Sequence, residues 1–516
     1  MIRYTNTAKP VGINPVIVTC EVDISEGIGV HLVGLADAAV SQSLLRTVTA
    51  LQSNGFRIPG KKIIINLAPA DLIKSGSGYD LAIALTVIAA SGQDNGKLDN
   101  LEKWLVFGEL ALDGCLRAAP GAVHTVQAAL NAGLHCIIPE ESIGEVAELY
   151  AAGNPVWAAN NYVEAMDIIS DEKSFPTLEE RYHEILSKNP KLEQPSDNPA
   201  DNWNNIVGND SAKRAVEIAA AGGHSIAFVG APGSYKGFLA KALRDLLPPM
   251  TEKEAKTNAL IYSHNCGLGR QYANTTQRPF RAPHYSCSLA ALLGGGSGES
   301  VRPGEVSLAN AGVLYLEEVE IAPRAVHEAL RAPVEDKKVV ITRLKSKIEY
   351  PADFVLALGL NPCPCGYYGE GDRCTCTHSQ RLAYISRYPA MLLDHVTVQA
   401  YTRVPSAREA DIVNEPFNDV KERVRLARFI QKKRYKGTKY RTNDELDRSG
   451  IEEFIPLNEE CMSFIGTLIS RLELSARAYS RIIKIARTIA DLAGSEEVTT
   501  AHLAEAASYR FLDRLP

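Results

Sequence analysis

Residues 224–237 hold the side chains best suited to chemistry, because the chain there passes from an apolar strand through a glycine-bearing turn into a helix. That order is typical of a phosphate-binding loop, in which backbone N–H groups surround phosphates, a lysine reaches the outer ones and a Ser/Thr hydroxyl holds magnesium. Against the pattern GxxxxGK[ST], Tyr235 replaces the second glycine and Gly237 replaces the hydroxyl. The residues predicted to bind a cofactor here are Gly230, Gly233, Ser234, Lys236 and Gly237.

An acidic pair further along the chain fits the same chemistry. Residues 312–316 predict an apolar strand that is followed by Glu317 and Glu318. In a phosphate-loop ATPase the first acid of such a pair positions magnesium and the second polarises the attacking water. Glu317 is one methylene longer than aspartate, and octahedral magnesium tolerates little misplacement. We therefore predict Glu317 as a cofactor-binding residue and Glu318 as a catalytic one, with ATP and magnesium as cofactors.

Four of the ten cysteines lie close together in the sequence. Cys363 and Cys365 form one pair, Cys374 and Cys376 form the other, and the eight residues between the pairs include three glycines. A glycine-rich turn lets two such pairs reach one tetrahedral zinc, and His378 is a possible substitute ligand. Because Cys-x-Cys is tighter than the commoner Cys-x-x-Cys, reduced thiols in a solvated loop are the alternative.

Two basic segments are candidates for contact with DNA. Residues 339–350 predict two short strands around a turn that carries Arg343, Lys345 and Lys347, and residues 428–441 contain seven basic residues and three aromatics. Attraction to phosphates combined with stacking on bases is typical of nucleic-acid binding. Solvated hairpins and helix ends have the same composition, so the interpretation as ordinary surface stays open.

Composition limits the class of protein. A chain of 516 residues with 45% apolar content is long enough for roughly three domains. No apolar run approaches the roughly 20 residues that span a bilayer, and residues 1–4 lack the apolar core of a signal peptide, so we expect a cytoplasmic protein with no membrane contact. A net charge of −6 gives no overall attraction to DNA, so any such contact must come from local basic patches.

Apolar periodicity predicts an α/β fold with three domains and a linker. Residues 1–186 predict an α/β domain, residues 187–202 a polar, proline-rich linker, residues 203–405 a nucleotide-binding domain and residues 406–516 a helical lid. Thr499 or Thr500 is expected to cap the last helix. The first domain is predicted to have strands at 15–22, 29–33, 62–67, 104–112 and 136–138 and helices at 38–52, 80–90, 122–132 and 143–151; the lid is predicted to have helices at 459–471, 478–493 and 500–511.

The first domain resembles the proteolytic domain of Lon, an α+β fold. The similar runs are KSGSGYD at 74–80, FGELALDG at 107–114 and GLHCIIPE at 133–140. Lon-type hydrolysis needs a serine activated by a lysine amine. The serine position falls on Gly78 and the lysine position on Val123, with Ser75 and Ser77 nearby. We therefore predict an inactive domain that is used for assembly or partner binding.

The chain as a whole resembles the magnesium-chelatase-like AAA+ proteins of the ComM/YifB type. The runs that carry the resemblance are RPFRAPH at 278–284, PGEVSLA at 303–309, NPCPCG at 361–366, LSARAYSR at 474–481 and IARTIADL at 485–492. The resemblance implies a hexameric ring, an inactive Lon-like N-terminal domain, and ATP-driven movement on branched or single-stranded DNA during recombination or natural transformation. It also implies that Lys236 is the phosphate lysine, Asn361 the nucleotide-sensing asparagine and Arg477 the second sensor arginine.

The arginine finger implied by the resemblance falls on His395, with Arg387 close by in sequence. Neutral histidine lacks the permanently charged, bidentate fork that stabilises a transferring phosphoryl group. Departures at Tyr235, Gly237, Glu317 and His395 all fall on the catalytic machinery. We therefore expect ATP binding with weakened hydrolysis; the alternatives are a non-hydrolysing scaffold or partner subunit and, as a distant third, a chelatase that inserts magnesium into a porphyrin.

Overall fold

The computed structural model describes residues 2–35, 37–150, 152–188, 198–263, 277–296, 301–343, 346–405, 414–472 and 475–514. Within these ranges the chain has an N-terminal α/β region, a central parallel sheet flanked by helices, and a C-terminal group of helices. The mixed α/β class predicted from the sequence is confirmed. The predicted domain boundaries stay predictions.

The N-terminal region is built on a mixed sheet of seven strands in the order β3-β4-β2-β1-β5-β8-β9. The strands of this region are β1 (Arg3–Val11), β2 (Asn14–Ser25), β3 (Gly29–Val33), β4 (Lys62–Ala68), β5 (Trp104–Val106), β6 (Glu109–Leu110), β7 (Leu116–Arg117), β8 (His135–Pro139) and β9 (Val156–Ala159). Its helices are α1 (Ala38–Ser53), α2 (Asp80–Ser91), α3 (Ala122–Ala132), α4 (Ile143–Tyr150), α5 (Tyr162–Ser170) and α6 (Leu178–Lys188).

The position aligned with a protease serine has no room for a side chain. A Cβ atom on Gly78 would lie 2.2 Å from Cε2 of Phe107, and Phe107 itself is buried. Val123, at the position of the activating lysine, is fully buried in the apolar core of α3. Packing therefore occupies both places where the protease chemistry would need a functional group.

The central region surrounds a five-stranded sheet in the order β11-β14-β17-β10-β18, and each pairing in it is parallel. Its strands are β10 (Ile226–Gly230), β11 (Phe280–Arg281), β12 (Gly294–Gly295), β13 (Arg302–Pro303), β14 (Val313–Glu317), β15 (Lys338–Arg343), β16 (Ser346–Pro351), β17 (Val355–Leu360) and β18 (Val398–Thr402). Its helices are α7 (Pro199–Asn204), α8 (Asp210–Gly222), α9 (Lys236–Leu246), α10 (Glu252–Ser263), α11 (Leu289–Leu293), α12 (Glu305–Leu308), α13 (Arg324–Asp336), α14 (His378–Ile385) and α15 (Ala390–Leu393).

This strand order decides where the predicted site residues meet. Because β10 lies between β17 and β18, the segments that follow these three strands emerge side by side at one edge of the sheet. Ligands of open α/β sheets bind at that edge, outside the carboxyl ends of the strands. The acidic pair follows β14, the strand next to β17, and so reaches the same edge.

The C-terminal helices are α16 (Phe417–Arg434), α17 (Arg448–Phe454), α18 (Glu459–Leu472), α19 (Ala476–Leu492) and α20 (Thr500–Ser508). Helix α19 packs against α8, α16 and α20, and one apolar cluster extends from the sheet helices into this group. A buried polar contact reinforces the packing: His224, just before β10, hydrogen-bonds Asp444 through Nδ1 at 2.9 Å and Thr488 through Nε2 at 2.8 Å. The lid is therefore joined to the strand that leads into the phosphate loop.

Most predicted elements are present, with several differences. The strand predicted at 104–112 is divided into β5 and β6 around Gly108, whose φ of +150° breaks a regular strand. The helix predicted at 500–511 ends at Ser508 and is followed by a 3-10 turn, Phe511–Arg514. Thr499 caps that helix, its side chain accepting a hydrogen bond from His502 N. Strands β1 and β9 and helices α5 and α6 were not predicted.

None of the helices in the described ranges combines the length and apolar character needed to cross a membrane.

Candidate functional site

Residues 231–235 connect β10 to α9 through a tight turn. Gly233 has φ +80°, and no heavy atom lies within 4 Å of the Cβ that a larger residue would carry. Tyr235, directly before α9, has φ 68° and ψ 15°, the left-handed conformation that favours glycine. The backbone therefore makes the turn of a phosphate loop although the second glycine is a tyrosine.

The side chain of Lys236 is buried at the start of α9. Its ammonium donates to the carbonyls of Gly230 and Ala231 at 2.6 and 3.2 Å and to Oδ1 of Asn361 at 3.0 Å. Burial lowers the pKa of Lys236, and the nearby acids Glu317, Glu320 and Glu318 act in the opposite direction. The ammonium therefore joins the segments that follow β10 and β17.

Gly230 and Ser234 serve the packing between β10 and β18. A Cβ on Gly230 would lie 2.1 Å from Oγ1 of Thr402 and 2.2 Å from the carbonyl oxygen of Thr402, so only glycine fits. Ser234 is 1% exposed, and its hydroxyl lies 2.7 Å from the Thr402 hydroxyl. The backbone N–H of Ser234 also has a partner, the carbonyl of Ala231 at 3.2 Å, and the predicted cofactor-binding role of Ser234 stays a prediction.

The two predicted acids differ in environment. Glu317, the last residue of β14, is exposed, which leaves its carboxylate open to a ligand. Glu318 has φ 51°, and its carboxylate accepts a hydrogen bond from Nδ2 of Asn361 at 3.3 Å. Asn361 therefore contacts Lys236 through its oxygen and Glu318 through its amide nitrogen. The structure brings together Lys236, Asn361 and Glu318, which are the predicted phosphate lysine, the predicted sensor asparagine and the predicted catalytic acid.

Glu320 is a third acid at this site, and the sequence did not single it out. It is 4% exposed, and its Oε1 accepts from the backbone N–H of Asn361 and from the Tyr384 hydroxyl, both at 2.9 Å. Its Oε2 is buried without a hydrogen-bond partner among the described residues. Burial raises the pKa of Glu320, and the hydrogen bond from Asn361 opposes that shift. A carboxylate three residues after the strand end was the only signal in the sequence.

Gly237 leaves unfilled space at the position of the missing hydroxyl. A Cβ there would be 3.9 Å from Cε1 of Tyr315, an ordinary van der Waals distance. The backbone of Gly237 lies in the first turn of α9, with no conformational need for glycine. The structure therefore has room for a serine or threonine at position 237, although the sequence has glycine there.

Arg477 and His395 lie apart from this group of contacts. Arg477 donates to Asp394 at 2.7 Å, and its side chain is 73% exposed. Nε2 of His395 is 3.5 Å from Oε1 of Glu335. Within the described residues, the hydrogen bonds of Arg477 do not reach Lys236 or Asn361. Its predicted role as a sensor stays a prediction, and its partner Asp394 directly precedes His395 in the chain.

The four cysteines meet in one group. The Sγ of Cys363 lies 3.4 Å from that of Cys365 and 3.8 Å from that of Cys374, and all four sulfurs, including that of Cys376, lie within 4.8 Å of one another. The group contains no histidine, so His378 is not needed as a ligand. Four sulfurs at such spacing could hold one metal ion.

The basic segment at 428–441 is largely used inside the protein. Arg434 forms an ion pair with Asp491, Arg441 with Glu445 and Asp353, and Lys439 with Asp447, while Arg428 donates to the carbonyl of Ala220. The basic residues left exposed without an ion pair in the described structure are Lys432, Lys433 and Lys436. The surface available to an anion is therefore smaller than the sequence suggested.

The second basic segment is the hairpin β15–β16, which confirms the predicted pair of strands. Lys347 on β16 is exposed, with its ammonium 3.8 Å from Glu349. The side chain of Arg343 and all of Lys345 lie outside the described residues.

Comparison with known proteins gives matches over most of the chain. Family models match residues 20–142 (subunit ChlI of Mg-chelatase), 202–410 (magnesium chelatase, subunit ChlI) and 414–510 (magnesium chelatase, subunit ChlI C-terminal). The uncharacterized protein YifB of Escherichia coli is 37% identical over 100% of this chain and 98% of its own length. Competence protein ComM of Haemophilus influenzae is 36% identical over 98% of this chain and 96% of its own length.

The left-handed conformation of Tyr235 gives a testable difference between two variants. Tyr235→Gly and Tyr235→Ala both remove the ring, whose centroid is 6.0 Å from that of Phe238. Only glycine adopts φ 68° without strain, so we expect the glycine variant to be more stable than the alanine variant by about 1 kcal/mol. Urea unfolding of both variants measures the difference, and equal stabilities would show that the position is unstrained.

Proposed function

Because the chain belongs to the magnesium-chelatase-like family that includes YifB and ComM, we propose that it is an ATP-binding AAA+ protein that acts on DNA with weakened ATP hydrolysis. The observation that carries the proposal is the buried Lys236 ammonium at the start of α9, joined to Asn361 beside the acids that follow β14. A lysine at a helix N-terminus, next to a glycine-bearing turn, is suited to bind a polyphosphate.

The residues present fit ATP and magnesium. The open space over Gly233 lets a phosphate approach the backbone, Lys236 supplies a positive charge, and exposed Glu317 supplies an oxygen of the kind magnesium prefers. Bound ATP would supply a phosphoryl group for transfer to water. The Glu318 carboxylate, hydrogen-bonded to Asn361, would then be the proton acceptor for the attacking water.

Three features support weak hydrolysis. Gly237 offers no hydroxyl to magnesium, Glu317 is longer than the usual aspartate, and His395 stands at the arginine-finger position beside Glu335. Removal of one group that stabilises a phosphoryl transition state costs several orders of magnitude in rate where it has been measured. A non-hydrolysing scaffold is the second candidate, favoured by the absence of a hydroxyl at Gly237.

A ring of identical subunits, by resemblance a hexamer, is part of the proposal. Exposed Arg477 pairs with Asp394 and His395 pairs with Glu335, so neither contacts Lys236 within the chain, as expected of residues that serve a neighbouring subunit. Arg387, also exposed, is the alternative source of an arginine finger.

The DNA part of the proposal depends on exposed basic groups and on the competence role printed in the name of ComM. Lys433 lies over the half-exposed ring of Phe429, with Nζ 4.5 Å from the centroid, and Lys432 and Lys436 are exposed nearby in sequence. A half-exposed aromatic ring beside a cation is suited to single-stranded nucleic acid. We propose ATP-dependent branch migration during recombination or natural transformation as the role.

A structural zinc in the four-cysteine group is also proposed. Sulfur-only ligands and a closed set of four are typical of structural zinc sites. The group would then stabilise the loop that follows Asn361.

Nucleotide binding tests the proposal directly. We expect Lys236→Ala to weaken ATP binding about tenfold or more, because it removes charge-assisted contacts to phosphate. Lys241→Ala is the matched control, since Lys241 is exposed on the same helix. Isothermal titration calorimetry with ATP and magnesium measures both variants. No detectable ATP binding by the unmodified chain would contradict the proposal.

Restoring the hydroxyl tests why hydrolysis is weak. We expect Gly237→Thr to raise magnesium-dependent ATP turnover at least severalfold, because the space beside Tyr315 accepts the side chain. Gly237→Ala fills the same space without a hydroxyl and should leave turnover unchanged. A steady-state phosphate-release assay decides the matter. Equal turnover in the two variants would show that the hydroxyl is not the limiting feature.

Charge reversal tests the DNA surface. We expect Lys432→Glu/Lys433→Glu to weaken binding to a labelled four-way junction about tenfold and to reduce the slope of log affinity against log salt by about 1 to 2. The double variant Lys61→Glu/Lys103→Glu makes the same charge change at exposed lysines of the N-terminal region and should have little effect. Fluorescence anisotropy at several salt concentrations measures both, and equal losses would exclude a local site.

A further inference from the structure

We propose that a zinc ion in the four-cysteine group holds the phosphate loop in the shape that binds nucleotide, so that metal binding and nucleotide binding strengthen each other. This effect is called the latch below. The loop that carries the cysteines, residues 362–377, is called the cysteine loop below. This inference rests on the proposed function, because it concerns nucleotide affinity at the same site.

The spacing of the sulfurs suits a tetrahedral ion. Zinc–sulfur bonds of about 2.3 Å in tetrahedral geometry place the sulfurs about 3.8 Å apart. The observed separations are 3.4 Å between Cys363 and Cys365, 3.8 Å between Cys363 and Cys374, and 3.7 Å between Cys365 and Cys374. Three of the thiols are therefore already arranged at nearly the separation that the ion requires, and the sulfur of Cys376 lies within 4.8 Å of them.

The cysteine loop touches the phosphate loop directly. Gly366 has φ +81°, and a Cβ there would lie 2.7 Å from Cδ of Pro232, which belongs to the turn between β10 and α9. The N–H of Gly366 donates to the carbonyl of Cys363 at 2.9 Å, so the turn that holds the first cysteine pair also forms this contact. A metal ion that held Cys363 and Cys365 in place would therefore also hold the Gly366 backbone that packs on Pro232.

A second contact holds the cysteine loop to the segment after β18. The Glu370 carboxylate accepts from the N–H of Val404 at 3.0 Å. The last residue of β18 is Thr402, whose hydroxyl pairs with that of Ser234 in the phosphate loop at 2.7 Å. The cysteine loop therefore supports the phosphate loop at Pro232 and, through Thr402, at Ser234.

The residue directly before the cysteine loop is Asn361, the predicted sensor. Asn361 contacts the Lys236 ammonium and precedes the first cysteine by two residues. The Tyr388 hydroxyl donates to the carbonyl of Asn361 at 2.7 Å and fixes it from the other side. Metal binding at Cys363 would restrict the chain immediately after Asn361, and so would keep the asparagine at the lysine.

Without metal, the contacts that hold the cysteine loop include two turn hydrogen bonds, the hydrogen bond from Val404 to Glu370, and arginine side chains over the rings of Tyr367 and Tyr368. Several of its residues are exposed, and the glycines at 366, 369 and 371 all have positive φ. A metal ion that joins four side chains removes most of the conformational freedom of such a loop. Ordering the loop before nucleotide binds lowers the free-energy cost of forming the site, and the coupling must be equal in both directions.

The test uses the full chain purified without chelator. We expect about one zinc per chain, and we expect removal of the metal by a chelator to weaken ADP binding about fivefold or more, with recovery when Zn²⁺ is added back. Saturating ADP should raise the affinity for Zn²⁺ by the same factor. Hydrogen exchange of residues 230–237 should be faster in the metal-free protein whether or not nucleotide is present.

Two glycine variants separate the latch from general damage to the loop. Gly366→Ala and Gly369→Ala place the same strained residue in the same loop, but only Gly366 touches Pro232, while nothing lies within 4 Å of a Cβ on Gly369. We expect both variants to keep zinc. We expect Gly366→Ala to lose the metal dependence of ADP affinity and of hydrogen exchange, and Gly369→Ala to keep it.

The outcomes are distinct. Zinc content near zero even after addition of Zn²⁺, or the same ADP affinity and hydrogen exchange with and without metal, would overturn the latch. If no form of the protein binds ADP while zinc still slows exchange of residues 230–237, the proposed nucleotide function fails and the mechanical latch stands.

Discussion

One buried ammonium group holds the candidate site together. Lys236 donates to two carbonyls of its own loop and to Asn361, so it joins the segments that follow two neighbouring parallel strands. An unpaired buried ammonium would be costly, and these three acceptors together with the nearby acids meet that cost. A phosphate that entered the site would replace carbonyl oxygens with charged ones. The Lys236 ammonium therefore already lies where a bound phosphate would need a positive charge.

The second constraint is the close approach of β10 and β18. Only glycine fits at position 230 against Thr402, and this contact fixes the beginning of the turn. The first helical hydrogen bond, from Leu239 N to the carbonyl of Tyr235 at 2.9 Å, fixes its end. With both ends fixed, the residue before α9 must take a left-handed conformation whatever its identity. This explains how a tyrosine retains a backbone that usually requires glycine.

Local patterns were enough to predict much of the fold, and long-range contacts explain what was missed. Helices such as α1 and α3 and the strand pair β15–β16 follow from apolar periodicity. The pairing of Ser234 with Thr402 joins residues 168 positions apart, and no spacing rule reveals it. The basic segment at 428–441 shows the same limit, because the sequence does not reveal that Arg441 pairs with distant Asp353. Residue types indicated the candidate chemistry; the strand order determined which of those residues meet.

The strand that leads into the phosphate loop is held at both ends. Before β10, His224 hydrogen-bonds Asp444 of the C-terminal region. Burial alone would raise the pKa of Asp444, but hydrogen bonds from His224 and Thr397 and the charge of Lys484 lower it to about 2, so the carboxylate stays ionised. After β10, the loop packs against Gly366 of the cysteine loop. A movement of the lid and a change in the metal site would therefore act on the same strand from opposite ends.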